Sequence, residues 1–317
     1  MAWDAELFEE PHLFLRDIQK LLFEGNLHLP LGSDGQIQSE GIRYKQSRMF
    51  AAAVKSMSKL TELSIRYDYV PGTICLLASS PLTKLVLEKC CINQEAADAL
   101  AHVVQNCTTL KKIEIMNCKK ESTNFSPILL AVSECMSIRH FTFMDDGRNF
   151  DCREFDSVLR LIKSSRTLRT LYLTDIVCSI SQMCQALDAL KSNTSLWKFD
   201  CLPSGELPLW PESSEIEESS LNKRLLELIS CRNTLTSVYI SLAIHKNYPI
   251  LCKDPLVETF KKNNNLLSMR LKDRRFNDGV DAYKSIPEVH SLKDLAAVVF
   301  KIGRVLSGES LVCCRLS

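Results

Sequence analysis

A short apolar phrase that recurs along the chain is the feature that most constrains its fold. The segments LTKLVLEKC (82–90) and LKKIEIMNC (110–118) share the pattern L-x-x-L-x-L, where x is any residue, and both end in a cysteine. A phrase repeated at a regular interval indicates a repeat architecture, in which each unit resembles the next and no single-domain pattern applies.

Eight copies of this phrase occur in the 317 residues. Their first apolar residues are Leu60, Leu82, Leu110, Ile138, Leu168, Leu196, Leu235 and Leu266. Successive copies are 22, 28, 28, 30, 28, 39 and 31 residues apart, and a weaker ninth match begins at Leu311. Chance matches to a three-position apolar pattern are common, but chance does not hold four consecutive intervals so close to 28 residues.

Each unit is predicted to contain one strand and one helix. The last two apolar positions of every phrase alternate with other residues, as a strand with one buried face requires. Between phrases the apolar spacing becomes helical, for example at Ile92, Ala96, Leu100 and Val103. Because such a unit cannot bury its apolar face alone, neighbouring units must stack. We therefore expect an α/β leucine-rich-repeat solenoid, a horseshoe with a parallel sheet on its concave face and helices on its convex face.

Paired cysteines carry a resemblance to a known class. Cys90 and Cys118 follow the strand phrase where a leucine-rich repeat takes Asn or Cys, and Cys107 and Cys135 occupy a matching position at the helix end. With the unit of about 28 residues, these positions resemble the ribonuclease-inhibitor-like class of leucine-rich repeats, found also in cytosolic nucleotide-sensing immune receptors and in Ran GTPase-activating proteins. The resemblance covers roughly residues 46 to 275 and implies binding of other proteins.

Three regions are predicted. Residues 1–45 lack the repeat, and Phe14, Ile18, Leu21 and Leu22 suggest a helix, so this region is interpreted as an N-terminal helical cap. Residues 46–275 form the array of about eight units, with a Pro-rich, Glu-rich loop insertion at 202–219 that contains Trp210. Residues 276–317 are interpreted as a C-terminal cap or a partial repeat.

Net charge, the N-terminal sequence and the cysteines indicate the cellular compartment and the class of partner. The net charge of +1 gives no global attraction to nucleic acid or to membranes, and no stretch approaches the length of a membrane helix. The N-terminus carries acidic residues where a signal peptide needs positive charge. The fourteen cysteines are therefore expected to be reduced thiols in a cytoplasmic protein. No metal or cofactor motif is present, and neither is predicted.

The candidate binding site is the outward face of the predicted sheet. Residues between and just after the apolar positions of each phrase point away from the core. Charges there are mixed in the first units, and Met and Tyr side chains occupy the middle, which favours a protein-contact surface. The candidate partner-binding residues are Arg66, Glu88, Lys112, Glu114, Met116, His140, Met144, Tyr172, Lys198, Asp200, Tyr239 and Arg270.

The favoured hypothesis is a non-catalytic scaffold or adaptor that binds a protein partner through this face. A Cys118–His140 nucleophilic pair was considered as a hydrolase site, but a buried structural thiol is unreactive. One alternative is a GTPase-activating regulator of the Ran type, in which Arg66 would act near a phosphate. Another is a substrate receptor of a ubiquitin ligase, in which residues 1–45 would dock on the ligase.

Overall fold

A computed structural model gives the architecture of the chain. It describes residues 19–24, 57–66, 70, 72–120, 124–145, 152–174, 179–202, 215–231, 234–242, 253–263, 265–273 and 278–283. Within these residues the strands are β1 Lys20–Glu24, β2 Glu62–Arg66, β3 Lys84–Glu88, β4 Cys91–Ile92, β5 Lys112–Lys120, β6 His140–Asp145, β7 Thr170–Thr174, β8 Lys198–Leu202, β9 Ser237–Leu242, β10 Ser268–Asp273 and β11 Asp278–Tyr283. The helices are a 3-10 helix Gly72–Ser79, α1 Gln94–Asn106, α2 Ser126–Glu134, α3 Cys152–Ser164, α4 Ile180–Ser192, α5 Glu215–Ser230 and α6 Lys253–Lys262.

One sheet runs through all the repeat units, in the order β1-β2-β3-β5-β6-β7-β8-β9-β10-β11. Neighbouring strands are parallel from β1 to β10, and the two-residue β4 pairs with β5 off this path. From β3 to β10, each strand of this path is connected to the next by a helix, and each of these helices packs on the helix before it. The chain is an α/β leucine-rich-repeat solenoid, as the repeated phrase predicted.

The register of the strands explains why the phrase recurs. Its second apolar position forms one continuous row, Leu63, Leu85, Ile113, Phe141, Leu171, Phe199, Val238 and Met269. Every member of this row is at most 3% exposed. The core is therefore a ladder in which each unit covers the open apolar face of the one before it.

Local signals start two of the helices where the sequence changes period. Asn93 precedes α1, and its Oδ1 accepts a hydrogen bond from Ala96 N at 2.9 Å. Ser179 precedes α4 and forms a reciprocal capping box with Gln182. These caps satisfy backbone N–H groups that would otherwise have no intrahelical partner.

The unequal intervals have a structural cause in the first unit. Where the interval is 22 residues, the α-helix is replaced by the eight-residue 3-10 helix Gly72–Ser79. A 3-10 helix rises about 2.0 Å per residue and an α-helix about 1.5 Å, so eight residues span about 16 Å and the thirteen of α1 about 20 Å. A shorter segment thus crosses nearly the same distance behind the sheet.

The cysteines that end the repeated phrase, Cys90 and Cys118, stabilise a tight turn. Lys89 and Asn117, at equivalent positions after the apolar residues of β3 and β5, adopt φ of 53° and 54°. Cys90 and Cys118 come next and are buried, and the thiol of Cys90 donates to the carbonyl of Ile65 in the preceding unit at 3.2 Å. The chain turns inward here, as the sequence predicted for these cysteines.

The expected N-terminal helix is wrong at Leu21 and Leu22. Lys20–Glu24 is instead a parallel strand on β2, because Gln19 O accepts hydrogen bonds from Thr61 N at 2.8 Å and Glu62 N at 2.9 Å. Most of the proposed cap 1–45, residues 203–214 of the insertion with Trp210, and residues 284–317 lie outside the described residues. The three-region division stays a prediction.

β11 changes the direction of the sheet after the last described repeat. It pairs antiparallel with β10, from Ser268 opposite Tyr283 to Asp273 opposite Asp278. The sequence did not predict this strand. Its antiparallel pairing covers the outer edge of β10, so within the described residues the parallel succession stops there.

Candidate functional site

The open face of the sheet carries three rows of side chains, set by the strand register. The first row holds Lys20, Glu62, Lys84, Lys112, His140, Thr170, Lys198, Ser237 and Ser268. The middle row holds Leu22, Ser64, Val86, Glu114, Thr142, Tyr172, Asp200, Tyr239 and Arg270. The last row holds Arg66, Glu88, Met116, Met144 and Thr174. All twelve predicted site residues fall in these rows, although the side chain of Arg270 lies outside the described part.

Most predicted charges in these rows are already paired with one another. Lys112 Nζ lies 2.9 Å from Glu114 Oε1, and Lys84 Nζ approaches the same carboxylate at 3.6 Å. Lys198 Nζ lies 3.0 Å from Asp200 Oδ2. The sheet face is therefore close to electrically neutral along its length.

Arg66 is one of these paired groups. Its Nε lies 2.9 Å from Glu88 Oε2, and the two side chains are 41% and 25% exposed. A guanidinium held by a neighbouring carboxylate is not poised to stabilise a partner's phosphate. This placement does not favour the role in GTP hydrolysis considered for Arg66.

The apolar residues of the face gather near its centre. Met116 and Met144 are neighbours in the last row, and both are partly exposed. Tyr172 and Tyr239 stand on either side of Asp200 in the middle row, also partly exposed, at a separation of about two strand spacings or 10 Å. The sheet thus presents a thioether and phenol surface between pairs of opposite charges.

Asp200 is the predicted site residue that the structure buries most. It is 3% exposed, whereas its ion-pair partner Lys198 is exposed. A partner on this face would meet the ammonium of Lys198 before the carboxylate. Val86 and Thr174 are buried on the same face at 7% and 4% exposure.

His140 lies in the first row beside a group of cations. Its Nδ1 is 3.1 Å from Thr170 Oγ1, and the residue is exposed. Burial of the ring edge, followed by the charges of Lys112, Arg169 and Arg139, lowers the pKa of His140. His140 is therefore neutral at physiological pH.

A further set of residues, none of them among the predicted site residues, lies at the edge where the strands begin. We name Lys111, Arg139, Arg169 and Trp197 the strand-start edge. These residues directly follow the first apolar residue of their phrases, one position before the first row of the sheet face. The signal was visible in the sequence: three consecutive units carry a cation there and the fourth a tryptophan.

No metal centre or membrane span is found in the part of the chain that the structure describes. Among those residues, no group of three or more His, Cys, Asp or Glu side chains is arranged to hold a metal ion. None of the described helices is long and apolar enough to cross a bilayer.

Comparison with known proteins yields little. No protein-family model matches the chain, and no curated protein matches it by sequence. Among solved structures, an internalin from Listeria monocytogenes matches with 14% identity and a TM-score of 0.28, covering 82% of each chain. This likeness is too low to indicate a function.

Proposed function

We propose that this protein is a non-catalytic, cytoplasmic scaffold or adaptor that binds a protein partner on the open face of its sheet. The observation that carries the proposal is the partly exposed group Met116, Met144, Tyr172 and Tyr239 on a rigid, hydrogen-bonded sheet. Met and Tyr are enriched at the centres of protein interfaces, where paired charges form the margin.

The rigidity of the face supports this function. Apart from the short β4, every strand from β2 to β10 is paired on both sides, so the side-chain rows are preorganised. A preorganised surface loses little conformational freedom on binding, which leaves more of the contact free energy for affinity. The ribonuclease-inhibitor-like subtype, implied by Cys90, Cys118 and the unit length, agrees with the same role.

Site-specific photocrosslinking in living cells tests the proposal. Tyr172 and Tyr239 are each replaced by the photoreactive phenylalanine derivative p-benzoyl-phenylalanine, which preserves an aromatic ring. Matched controls carry the same residue in place of Arg160 and Lys223, which are exposed on α3 and α5. We expect light-dependent protein adducts at positions 172 and 239 and none at 160 and 223.

Two results would contradict this function. Adducts confined to the helix positions would move the binding surface to the other side of the solenoid. A lack of protein adducts at all four positions would remove the support for a binding role of the sheet.

A further inference from the structure

The helix-to-strand turns at one edge of the solenoid contain cations and no carboxylates. Residues 107–111, 135–139, 165–169 and 193–197 include Lys111, Arg139, Arg166 and Arg169 but no Asp or Glu. The whole chain is nearly balanced, with 39 Lys and Arg against 38 Asp and Glu. Positive charge is thus segregated at this edge.

The strand-start edge is a rigid array. Backbone hydrogen bonds of 2.8 Å join Arg139 N to Lys111 O, Arg169 N to Arg139 O and Trp197 N to Arg169 O. Adjacent strands lie about 4.8 Å apart, so the four residues span about 14 Å. The spacing is fixed by the sheet and does not depend on flexible loops.

Uncharged groups hold the guanidinium groups of Arg139 and Arg169 in place. Arg139 Nη1 donates to Met136 O at 3.1 Å and to Thr167 O at 3.4 Å. The Arg169 guanidinium stacks over the Trp197 ring, with Cζ 4.4 Å from the ring centroid. Carbonyls and an aromatic ring hold a guanidinium in place without cancelling its charge.

This edge differs from the sheet face beside it. On the face, Lys112 and Lys198 are paired with Glu114 and Asp200. At the edge, no described carboxylate forms an ion pair with Lys111, Arg139 or Arg169. Lys111 is exposed and Arg139 and Arg169 are partly exposed, so these charges are accessible to a ligand.

We propose that the strand-start edge binds an acidic segment of the protein partner, with carboxylates lying along Lys111, Arg139 and Arg169 and ending against Trp197. The inference rests on the proposed function, because the edge adjoins the first row of the same sheet face. An extended peptide advances about 3.3 Å per residue, so four to five residues match the 14 Å array.

The surroundings favour an acidic protein segment over a nucleic acid. Domains built to bind nucleic acid concentrate enough Lys and Arg to raise the isoelectric point above about 9, whereas this chain has a net charge of +1 and an isoelectric point near 7.5. The adjoining face offers Met116, Met144 and Tyr172, which suit protein side chains.

Fluorescence anisotropy with defined probes tests the inference on the full chain. The probe is a labelled peptide of about eight glutamates, compared with a lysine peptide and a single-stranded RNA of equal length, at low and at physiological salt. The test variant is Lys111→Glu, Arg139→Glu, Arg169→Glu. The control variant, Lys119→Glu, Lys223→Glu, Lys262→Glu, makes the same change in net charge at exposed sites elsewhere.

We expect wild type to bind the glutamate peptide more tightly than either other probe, with affinity that falls as salt rises. The test variant should weaken binding at least about tenfold, since three attractive contacts become repulsive, and the control should stay within about twofold. No binding by wild type, equal weakening in both variants, or tighter binding of the RNA would each overturn the inference.

Two further variants separate charge from folding. Arg139→Lys with Arg169→Lys keeps both charges but removes the carbonyl and ring contacts, and is expected to bind the glutamate peptide within about threefold of wild type. Lys111→Glu with Arg166→Glu alters two exposed residues and should weaken binding at least about threefold with unchanged thermal unfolding. A folded double variant that binds like wild type refutes the inference.

The crosslinking experiment is read independently of these probes. Adducts at Tyr172 and Tyr239 that persist in the charge-reversed protein, together with unchanged peptide affinity, would leave the proposed function standing and remove this inference. Loss of all sheet adducts would remove the function whatever the peptide does.

Discussion

The turns from helix to strand are held by different side chains in the two halves of the solenoid. In the N-terminal half, Cys107 and Cys135 occupy the position three residues before the buried apolar residue that opens the next phrase. In the C-terminal half, Asn193 and Asn263 occupy the same position. The comparison shows how one backbone geometry is stabilised by two chemistries.

The turn at Cys107 also depends on the hydroxyl group of a second residue. Cys107 Sγ lies 3.6 Å from Ser80 O and 3.5 Å from Leu82 O, both in the preceding unit. Thr109, two residues later, donates a shorter bond of 2.8 Å to Leu82 O. Because a thiol is a weak donor, the hydroxyl contributes most of the hydrogen bonding between these units.

At the asparagine turn the amide itself makes the principal hydrogen bonds. Asn193 Nδ2 donates to Ile162 O at 2.6 Å and to Ser165 O at 3.3 Å, which joins it to the preceding unit. Its Oδ1 accepts from the backbone N–H groups of Ser195 and Leu196, both at 2.8 Å. One amide thus closes its own turn and connects two units. Ser195, at the position equivalent to Thr109, adds a hydrogen bond of 2.9 Å from its Oγ to Ser165 O, so the two halves share the hydroxyl and differ in the residue that closes the turn.

Asn193→Ala is expected to show the largest effect. The substitution removes the amide's bonds to the carbonyl of Ile162 and to the N–H groups of Ser195 and Leu196, around a residue that is 5% exposed, while Ser165 O keeps its bond from Ser195 Oγ. It should lower the free energy of unfolding by about 3 kcal/mol. Urea unfolding monitored by circular dichroism measures the change. Thr194→Ala alters an exposed neighbour and should cost less than about 0.5 kcal/mol. A loss below about 1 kcal/mol for Asn193→Ala would contradict the assigned role of the amide.

The repeat phrase predicted the sheet and its register, for a clear physical reason. Every phrase places its apolar residues in the same three rows, and a one-residue slip would turn the buried set toward solvent. The sequence therefore fixes the register from Leu63 to Met269 without knowledge of the loops. The cysteines after the strands were predicted for the same reason.

The ends of the sheet could not be predicted so well. Ile18, Leu21 and Phe23 also satisfy the phrase, but Phe14, Ile18, Leu21 and Leu22 satisfy a helical stripe equally. A segment of five residues is too short to distinguish the strand period from the helix period. Pairing with the edge of β2 makes it a strand. β11 likewise follows from pairing with β10, which no local pattern encodes.

The sequence predicted which residues lie on the open face of the sheet, but not how exposed their side chains are. Alternation places Asp200 and Val86 outward, yet both are buried, at 3% and 7% exposure. Burial on a sheet face depends on the size of neighbours in the adjacent strands, and for Asp200 these are Tyr172 and Tyr239. A single phrase carries no information on its neighbours.

Alkaline unfolding should test the buried thiols of both halves next, since burial also raises the pKa of Cys201 to about 12. Hydrogen bonding with Cys90, and then burial, raises the pKa of the Cys118 thiol. A raised folded-state pKa contributes stability that is complete below the unfolded thiol pKa of about 8.5 and is lost above it, by about 1.4 kcal/mol per pH unit for each thiol kept protonated. Urea midpoints between about pH 7.5 and about pH 10 measure this loss. Cys118→Ala should decline less steeply than wild type, and parallel curves would rule out the contribution.

Substitutions at Cys107 should change the free energy of unfolding less than Asn193→Ala does. Cys107→Ala removes weak thiol contacts, while Thr109 keeps its bond to Leu82, so the loss should be about 1 kcal/mol, well below that of Asn193→Ala. Cys107→Asn supplies an amide that can reach the carbonyls of Ser80 and Leu82, and should be more stable than Cys107→Ala. The reverse order of these two variants in urea unfolding would show that the two turns are not equivalent.

Acid unfolding should show the smallest difference, which arises between α4 and α5. Lys191 Nζ lies 2.8 Å from Asp188 Oδ1 and 2.6 Å from Glu227 Oε2, and Arg224 also pairs with Asp188. Desolvation opposes ionisation of Asp188, but the hydrogen bonds from Lys191 and Arg224 outweigh it and lower its pKa. The hydrogen bond from Lys191 is the main cause of the lowered pKa of Glu227.

A lowered carboxylate pKa contributes stability above the unfolded pKa that disappears as the pH falls through the folded value. Lys191→Met should therefore be less stable than wild type near neutral pH, and the two unfolding curves should converge as the pH falls below about 4. The N-terminal counterpart, Arg160 with Glu134, is exposed on both sides at 59% and 57%, so Arg160→Met should show no measurable difference at any pH. A gap between Lys191→Met and wild type that stays constant down to about pH 3 would mean that Lys191 stabilises the helix pair by packing of its methylene groups and not by its charge.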